Sequence, residues 1–247
     1  MLAGEGNSAR QVERAVDTRP KRAEEGRAVN AARVIAFPLS SHEAKGVPSA
    51  NRGYRAFKRS VDILSASILL IALAPLMLIV AALTKATSPG PVIFRQSRLT
   101  LGGKVFTMFK FRTMAMDAED GSGAVWAASK DPRVTTLGRI LRKTRLDELP
   151  QLFNVLRGEM SLIGPRPERP EFAVHLSEEL PGFNRRLEVR GGITGLAQVS
   201  SGYAACLDSY RRKVDLDLHY VDNLSAMMDL KIAVKTVLVI LTGSGAR

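Results

Sequence analysis

From Val61 to Leu83 the chain reads VDILSASILLIALAPLMLIVAAL, close to the roughly 20 residues a helix needs to cross a hydrocarbon core. Lipid offers no partner to backbone N–H and C=O groups, so such a run has to be helical. It begins too far from the N-terminus, and stays apolar too long, to be a cleavable signal peptide. It is read as a membrane segment. Pro75, near its middle, removes one backbone donor and bends or breaks a helix. Arg52, Arg55, Lys58 and Arg59 flank one end, and Lys85, Arg95 and Arg98 the other. Positive charge marks the cytoplasmic side. A helix-break-helix that dips into one leaflet and returns keeps both basic flanks there, whereas a kinked span strands one of them. The residues alone leave both topologies open.

Three regions are expected: a disordered basic tail over 1–50, a membrane helix-break-helix over 51–87, and a cytoplasmic domain over 88–247. The tail is rich in Arg, Glu, Ala and Ser with little apolar periodicity. The formal charge of +12 over 247 residues calls for an anionic partner, either lipid headgroups or a phosphorylated substrate. Nucleic acid is disfavoured, because the basic residues come without interleaved aromatics or a recognisable binding motif. Cys206 is the only cysteine, so no intrachain disulfide forms, and the chemistry is expected on the cytoplasmic side. His42, His175 and His219 are scattered, and phosphate-loop, nucleophile-elbow and zinc-pair patterns are absent. Asn223-Leu-Ser225 fits a glycosylation sequon that has no meaning on a cytoplasmic surface.

The fold class predicted is α+β, mostly helical, with a small sheet and interfacial helices. Ser88-Pro-Gly-Pro91 ends the apolar helix; Val92–Arg95 and Lys104–Arg112 read as strands joined through Gly102-Gly103. Asp117–Pro132, with a lone Trp126, reads as a loop. Thr135 or Thr136 is expected to cap a helix to about Lys143. Asp147 is expected to cap a second helix, with Pro150 in its first turn and Gly158 at its stop. Glu168–Arg190 holds a helix broken at Pro181-Gly182, Gly191–Gly195 reads as a permissive turn, and Leu207–Asn223 as a charged helix. Ala226–Leu241 is apolar with Lys231 and Lys235 four apart, which suits a helix lying in the membrane interface or packed on the domain.

Asp147 and Glu148 are adjacent, so their side chains diverge and suit two separate tasks better than a shared proton. One carboxylate could attack phosphorus while the other handles a proton or helps hold Mg²⁺, which would offset the repulsion between a diphosphate and an anionic nucleophile. Asp147 as a plain helix cap, with Glu148 complementing the dipole, is the bland alternative. Against it stand Lys110, Arg112, Arg142, Arg145 and Arg166, the last between two prolines. Guanidinium forks match phosphate oxygens, and prolines stiffen the backbone that carries one. A non-catalytic basic scaffold that gathers acidic lipids or assembly partners is the rival reading; it gives the carboxylates no task.

Ser88-Pro-Gly-Pro-Val-Ile-Phe-Arg-Gln96, Lys110-Phe-Arg-Thr-Met114, Leu146-Asp-Glu-Leu-Pro-Gln-Leu-Phe-Asn154 and Ser161-Leu-Ile-Gly-Pro-Arg-Pro167 together resemble the bacterial sugar transferase family, the monotopic phosphoglycosyl transferases. The likeness runs from about Tyr54 to near the C-terminus. It implies transfer of a sugar-1-phosphate from a UDP-sugar to undecaprenyl phosphate, releasing UMP and initiating a surface polysaccharide or exopolysaccharide. It further implies Asp147 as nucleophile, Mg²⁺ at Asp147 and Glu148, and phosphates held by Lys110, Arg112, Arg142, Arg145 and Arg166. The implied location is the bacterial inner membrane with the site on its cytoplasmic face; assembly as a homo-oligomer is left open. The resemblance also favours the re-entrant topology. One departure is Ala74-Pro75 where members often carry Ser-Pro, which removes a hydroxyl from the bend.

Overall fold

The computed structural model describes residues 52–116, 118, 131–201 and 207–242; the tail 1–50, Trp126 and Cys206 lie outside them. Helix α1 (Arg52–Thr87) runs through the apolar segment with Pro75 inside it. The expected break is therefore a point within one helix. A proline removes a single donor, and the turns on either side keep theirs.

Helix α1 packs on the rest of the fold on both sides of Pro75. Before it, Ala66 and Leu70 share a core with Phe106, Met108, Leu152, Val155 and Met160. After it, Leu76, Met77, Val80 and Ala81 share another with Phe111, Leu141, Leu146 and Leu149. Leu64, Ile68, Ile71 and Leu78, at helical spacing, are exposed, Ile71 by 78%. A row this apolar marks an interaction surface, and lipid is the solvent it fits. Asp62, the one acid in the apolar run, is buried and accepts the N–H of Leu162 at 3.0 Å, so its charge serves docking. Arg59 donates to the carbonyls of Val155 at 2.7 Å and Leu156 at 3.0 Å. Both lie in the last turn of α3 (Gln151–Arg157), where Val155 O also accepts the Gly158 N–H at 3.0 Å and where a cation suits the dipole.

Strands β1 (Ile93–Leu99) and β2 (Val105–Phe111) form the expected antiparallel hairpin, Ile93 opposite Phe111 and Leu99 opposite Val105. The turn needs Gly102, at φ 70°. Helix α2 (Thr136–Thr144) begins as anticipated, with the Thr135 hydroxyl accepting from Gly138 N at 2.9 Å. Gly158 ends α3 in the left-handed conformation, also as anticipated.

The segment read as a permissive turn is instead strand β4 (Gly192–Thr194), which pairs in parallel with β3 (Ser161–Ile163). Its glycines serve space rather than backbone freedom. A Cβ on Gly192 would lie 2.1 Å from the Gly164 nitrogen, and one on Gly195 would lie 2.1 Å from the Gly164 oxygen. Three residues with glycine at the first position carry no alternation to betray a strand.

Helix α4 (Pro170–Glu179) is followed, past Pro181-Gly182, by a 3₁₀ segment, Phe183–Glu188. Helices α5 (Leu196–Ser200), α6 (Leu207–Asp222) and α7 (Ala226–Thr242) complete the described chain. Among the described residues the fold is thus mostly helical, with two small sheets. On α7, Ile232 is buried while Leu230, Val234, Leu238 and Leu241 are exposed. Asp229 ties this helix to the start of α1, accepting from Tyr54 OH at 2.5 Å and Lys58 at 2.6 Å, and from Tyr220 OH of α6 at 2.8 Å.

Candidate active site

The chain leaves α2 through Arg145, the one non-glycine residue with positive φ (61°) among the described residues. Such a conformation is disfavoured for a residue with a Cβ and marks a turn the surroundings impose. It throws Leu146–Glu148 into a 3₁₀ turn in which both Asp147 and Glu148 are buried. The expected role of Asp147 as a helix cap is not what forms. Helix α3 starts at Gln151 behind Pro150, with no side-chain cap, so the Asp147 carboxylate is not spent on backbone N–H groups.

The two carboxylates differ. Glu148 is gripped by Arg166, Nη2 to Oε1 at 2.6 Å and Nη1 to Oε2 at 3.3 Å, and faces Lys110 Nζ at 3.4 Å. Burial opposes its charge, but Arg166 and Lys110 outweigh that and hold it well below the ordinary carboxylate range. Asp147 Oδ1 is buried with no hydrogen-bond partner among the described residues. Burial first, and repulsion from Glu148 second, push its pKa up, against Lys110, Arg166 and Arg142. An unpartnered buried carboxylate oxygen facing cations is costly unless a ligand completes it.

Lys110 comes from β2, and Asn154 of α3 fixes that strand. Its amide donates to Thr107 O at 2.7 Å and its oxygen accepts from Phe109 N at 3.0 Å. Burial lowers Lys110 to about 8, against the pull of Glu148. Arg142 bonds Thr113 Oγ1 through Nε at 2.9 Å and stands near enough to Asp147 to act on its charge. Arg145 is exposed and acts on Glu148 in the same way. Arg112 is set apart. It is buried, bonds Ser88 O at 2.7 Å beyond α1, and leaves Nε and Nη1 without partners among the described residues. The fold thus gathers Lys110, Asp147, Glu148 and Arg166, with Arg142 and Arg145 beside them.

Beyond Arg166 lies a polar layer that sequence reasoning missed. Arg98 of β1, read only as a flanking charge, donates to Gln96 Oε1 and, at 3.0 Å, to Pro167 O. Burial lowers Arg98 to about 10 while Glu168 opposes that. Glu168 also accepts from Tyr210 OH, and Arg186 pairs with Asp217 at 2.8 Å. Only the period-two placement of Gln96 and Arg98 on one strand hinted at their contact.

Mg²⁺ binds one or two carboxylates and completes its shell with water or substrate phosphate. Asp147 Oδ1 fits as one such ligand, whereas both Glu148 oxygens are engaged. No group of three or more His, Cys, Asp or Glu suited to a metal occurs among the described residues. Asp147 Oδ1 thus suits an ion whose remaining ligands are water or phosphate oxygens.

Two buried carboxylates held unequally among cations, on a scaffold with an exposed apolar helix, suit phosphate chemistry beside a membrane. The chain belongs to the bacterial sugar transferase family, whose model matches residues 53–243. It is similar to a UDP-N-acetylgalactosamine-undecaprenyl-phosphate N-acetylgalactosaminephosphotransferase of Aeromonas hydrophila, at 48% identity over 194 residues, 78% of this chain and 46% of that one. It is 44% identical to a UDP-glucose:undecaprenyl-phosphate glucose-1-phosphate transferase of Caulobacter vibrioides, over 76% of this chain and 71% of that one. A Rhizobium leguminosarum bv. phaseoli exopolysaccharide production protein PSS matches at 44%, over 75% of this chain and 95% of that one. The chain spans less than half of the Aeromonas protein. The Aeromonas and Caulobacter proteins are named as transferases, a name that the non-catalytic scaffold does not account for.

Proposed function

We propose that the chain transfers a sugar-1-phosphate from a UDP-sugar to undecaprenyl phosphate through a covalent intermediate on Asp147, initiating exopolysaccharide synthesis. The observation that carries this reading is the partnerless Asp147 Oδ1 beside a Glu148 already neutralised by Arg166 and Lys110. A carboxylate oxygen of Asp147 attacks the sugar-bearing phosphorus of the diphosphate. The bond from that phosphorus to the bridging oxygen breaks, and UMP leaves with the electron pair. An oxygen of undecaprenyl phosphate then attacks the same phosphorus and displaces Asp147, giving undecaprenyl diphosphate sugar. Lys110, Arg142 and Arg166 bind and orient the phosphate oxygens, and Glu148 keeps Arg166 in place. Bound Mg²⁺ would supply positive charge to the diphosphate and the departing phosphate.

The packing of α1 residues on both sides of Pro75 against the same body supports the re-entrant topology at the cytoplasmic face of the inner membrane. The exposed apolar row of α7 supports its lying in the interface. Relatives of comparable identity carry names with different sugars, N-acetylgalactosamine and glucose, so a UDP-sugar panel assigns the donor.

The test uses membranes holding the full chain, Mg²⁺ and a UDP-sugar labelled at the sugar-bearing phosphate. UMP release with label retained on a peptide containing Asp147 is expected, and Asp147→Asn abolishes both. Full turnover in Asp147→Asn, or label that never attaches to the protein, refutes the covalent route.

A further inference from the structure

Pro165, Arg166, Pro167 and Glu168 form an irregular segment, from which Arg166 reaches Glu148. Its prolines bring no N–H, so the segment is fixed through its carbonyls. Four successive carbonyl oxygens each meet a donor from elsewhere: Gly192 N to Pro165 O at 2.8 Å, Arg186 Nη2 to Arg166 O at 2.9 Å, Arg98 Nη1 to Pro167 O at 3.0 Å, and Leu99 N to Glu168 O at 2.9 Å. The bond to Arg166 itself comes from a side chain. Arg186 is buried and held on two other sides. Its Nε donates to Asp217 Oδ2 at 2.8 Å, and its guanidinium lies 4.9 Å from the centre of the Phe183 ring.

A buried ion pair is a poor source of stability, because desolvating two charges offsets their attraction; its best-attested use is to fix geometry. Here the geometry in question is that of Arg166. The carbonyl and side chain of one residue leave the same short stretch of backbone, so anchoring the carbonyl narrows where the guanidinium can reach. That guanidinium meets Glu148 through both terminal nitrogens.

We propose that Arg186, anchored by Asp217, is a positioning residue for Arg166, fixing the backbone from which its guanidinium reaches Glu148 and the donor diphosphate. The diphosphate half of this statement rests on the phosphotransfer reading; the Glu148 half does not.

Two measurements on the detergent-solubilised full chain test it. The first is the coupling in thermal midpoint between Arg166→Gln and Glu148→Gln, taken as a double-mutant cycle with Arg186 and again with Arg186→Lys. Positioning predicts that the coupling falls by about half or more in the Arg186→Lys background. An unchanged coupling overturns the proposal, and this readout needs no turnover. If Arg186→Lys does not fold, Asp217→Asn, which leaves Arg186 in place but unanchored, is required to weaken the coupling in the same direction.

The second is kcat/KM for UMP release. Arg186→Lys is expected to cost about tenfold alone, but less than about threefold in the Arg166→Gln background, since it acts through a side chain already removed. A residue that only supports the fold costs the same in both, and that result also overturns the proposal. Wild-type protein that releases no UMP from any UDP-sugar refutes the functional reading, while the thermal cycle still decides the positioning role.

Discussion

At the level of single residues, Lys110 links burial to function. Burial holds its pKa at about 8, whereas a lysine in an unfolded chain keeps its proton to roughly 10.4. Between those values the unfolded chain binds more protons, so stability rises with pH across the window as the cost of the buried charge is relieved. Phosphate binding moves the other way, because the cation disappears as pH rises through about 8. The kcat/KM for UMP release is therefore expected to show an alkaline limb near pH 8, reporting the free enzyme. Lys110→Arg should carry that limb beyond the accessible range, and a limb left in place would assign it to another group. The acid pair and its cations were legible in the sequence because carboxylates and guanidinium groups announce themselves by type. The inequality of Asp147 and Glu148 was not, since it comes from Arg166, 18 residues beyond Glu148, meeting one carboxylate and not the other. Nor was the freedom of Asp147 from capping, which depends on a turn imposed at Arg145.

Among the elements, the glycines of the two turn-like segments separate conformation from space. Gly102 has φ 70° and nothing within 4 Å of a built Cβ, so Gly102→Ala is expected to cost about 1 kcal/mol through backbone strain alone. Gly192 has ordinary φ but would place a Cβ against backbone atoms of Gly164, so Gly192→Ala is expected to cost about 3 kcal/mol. It would also move the segment that carries Arg166. Thermal unfolding of the two variants, with UMP release measured alongside, checks the contrast; equal losses would contradict it. Long periodic helices and the β1–β2 hairpin were readable because pattern and turn chemistry agree over many residues. The β3–β4 pair was not, because each strand has three residues and the pairing joins positions about thirty apart.

For the whole molecule, topology is the consequential question, and it has a direct assay. With Cys206→Ser as background, Phe57→Cys and Ala86→Cys place one thiol near each end of α1. In spheroplasts, a membrane-impermeant maleimide is expected to label neither, and both after lysis. Labelling of one from outside would mean that α1 spans the bilayer. The apolar run was legible from sequence alone as a helix, and the structure gives it an outward apolar row, yet its packing role was hidden. Residues such as Ala66 and Val80 look like lipid-facing positions until their partners are known. Arg59 likewise read as a flanking charge, whereas it closes the end of α3. Attempts to obtain a water-soluble version by starting the chain at residue 88 would therefore delete one wall of two cores and strip Arg59 from the end of α3. Solubility has to be sought by repainting the outward row of α1, keeping the inward row as it is.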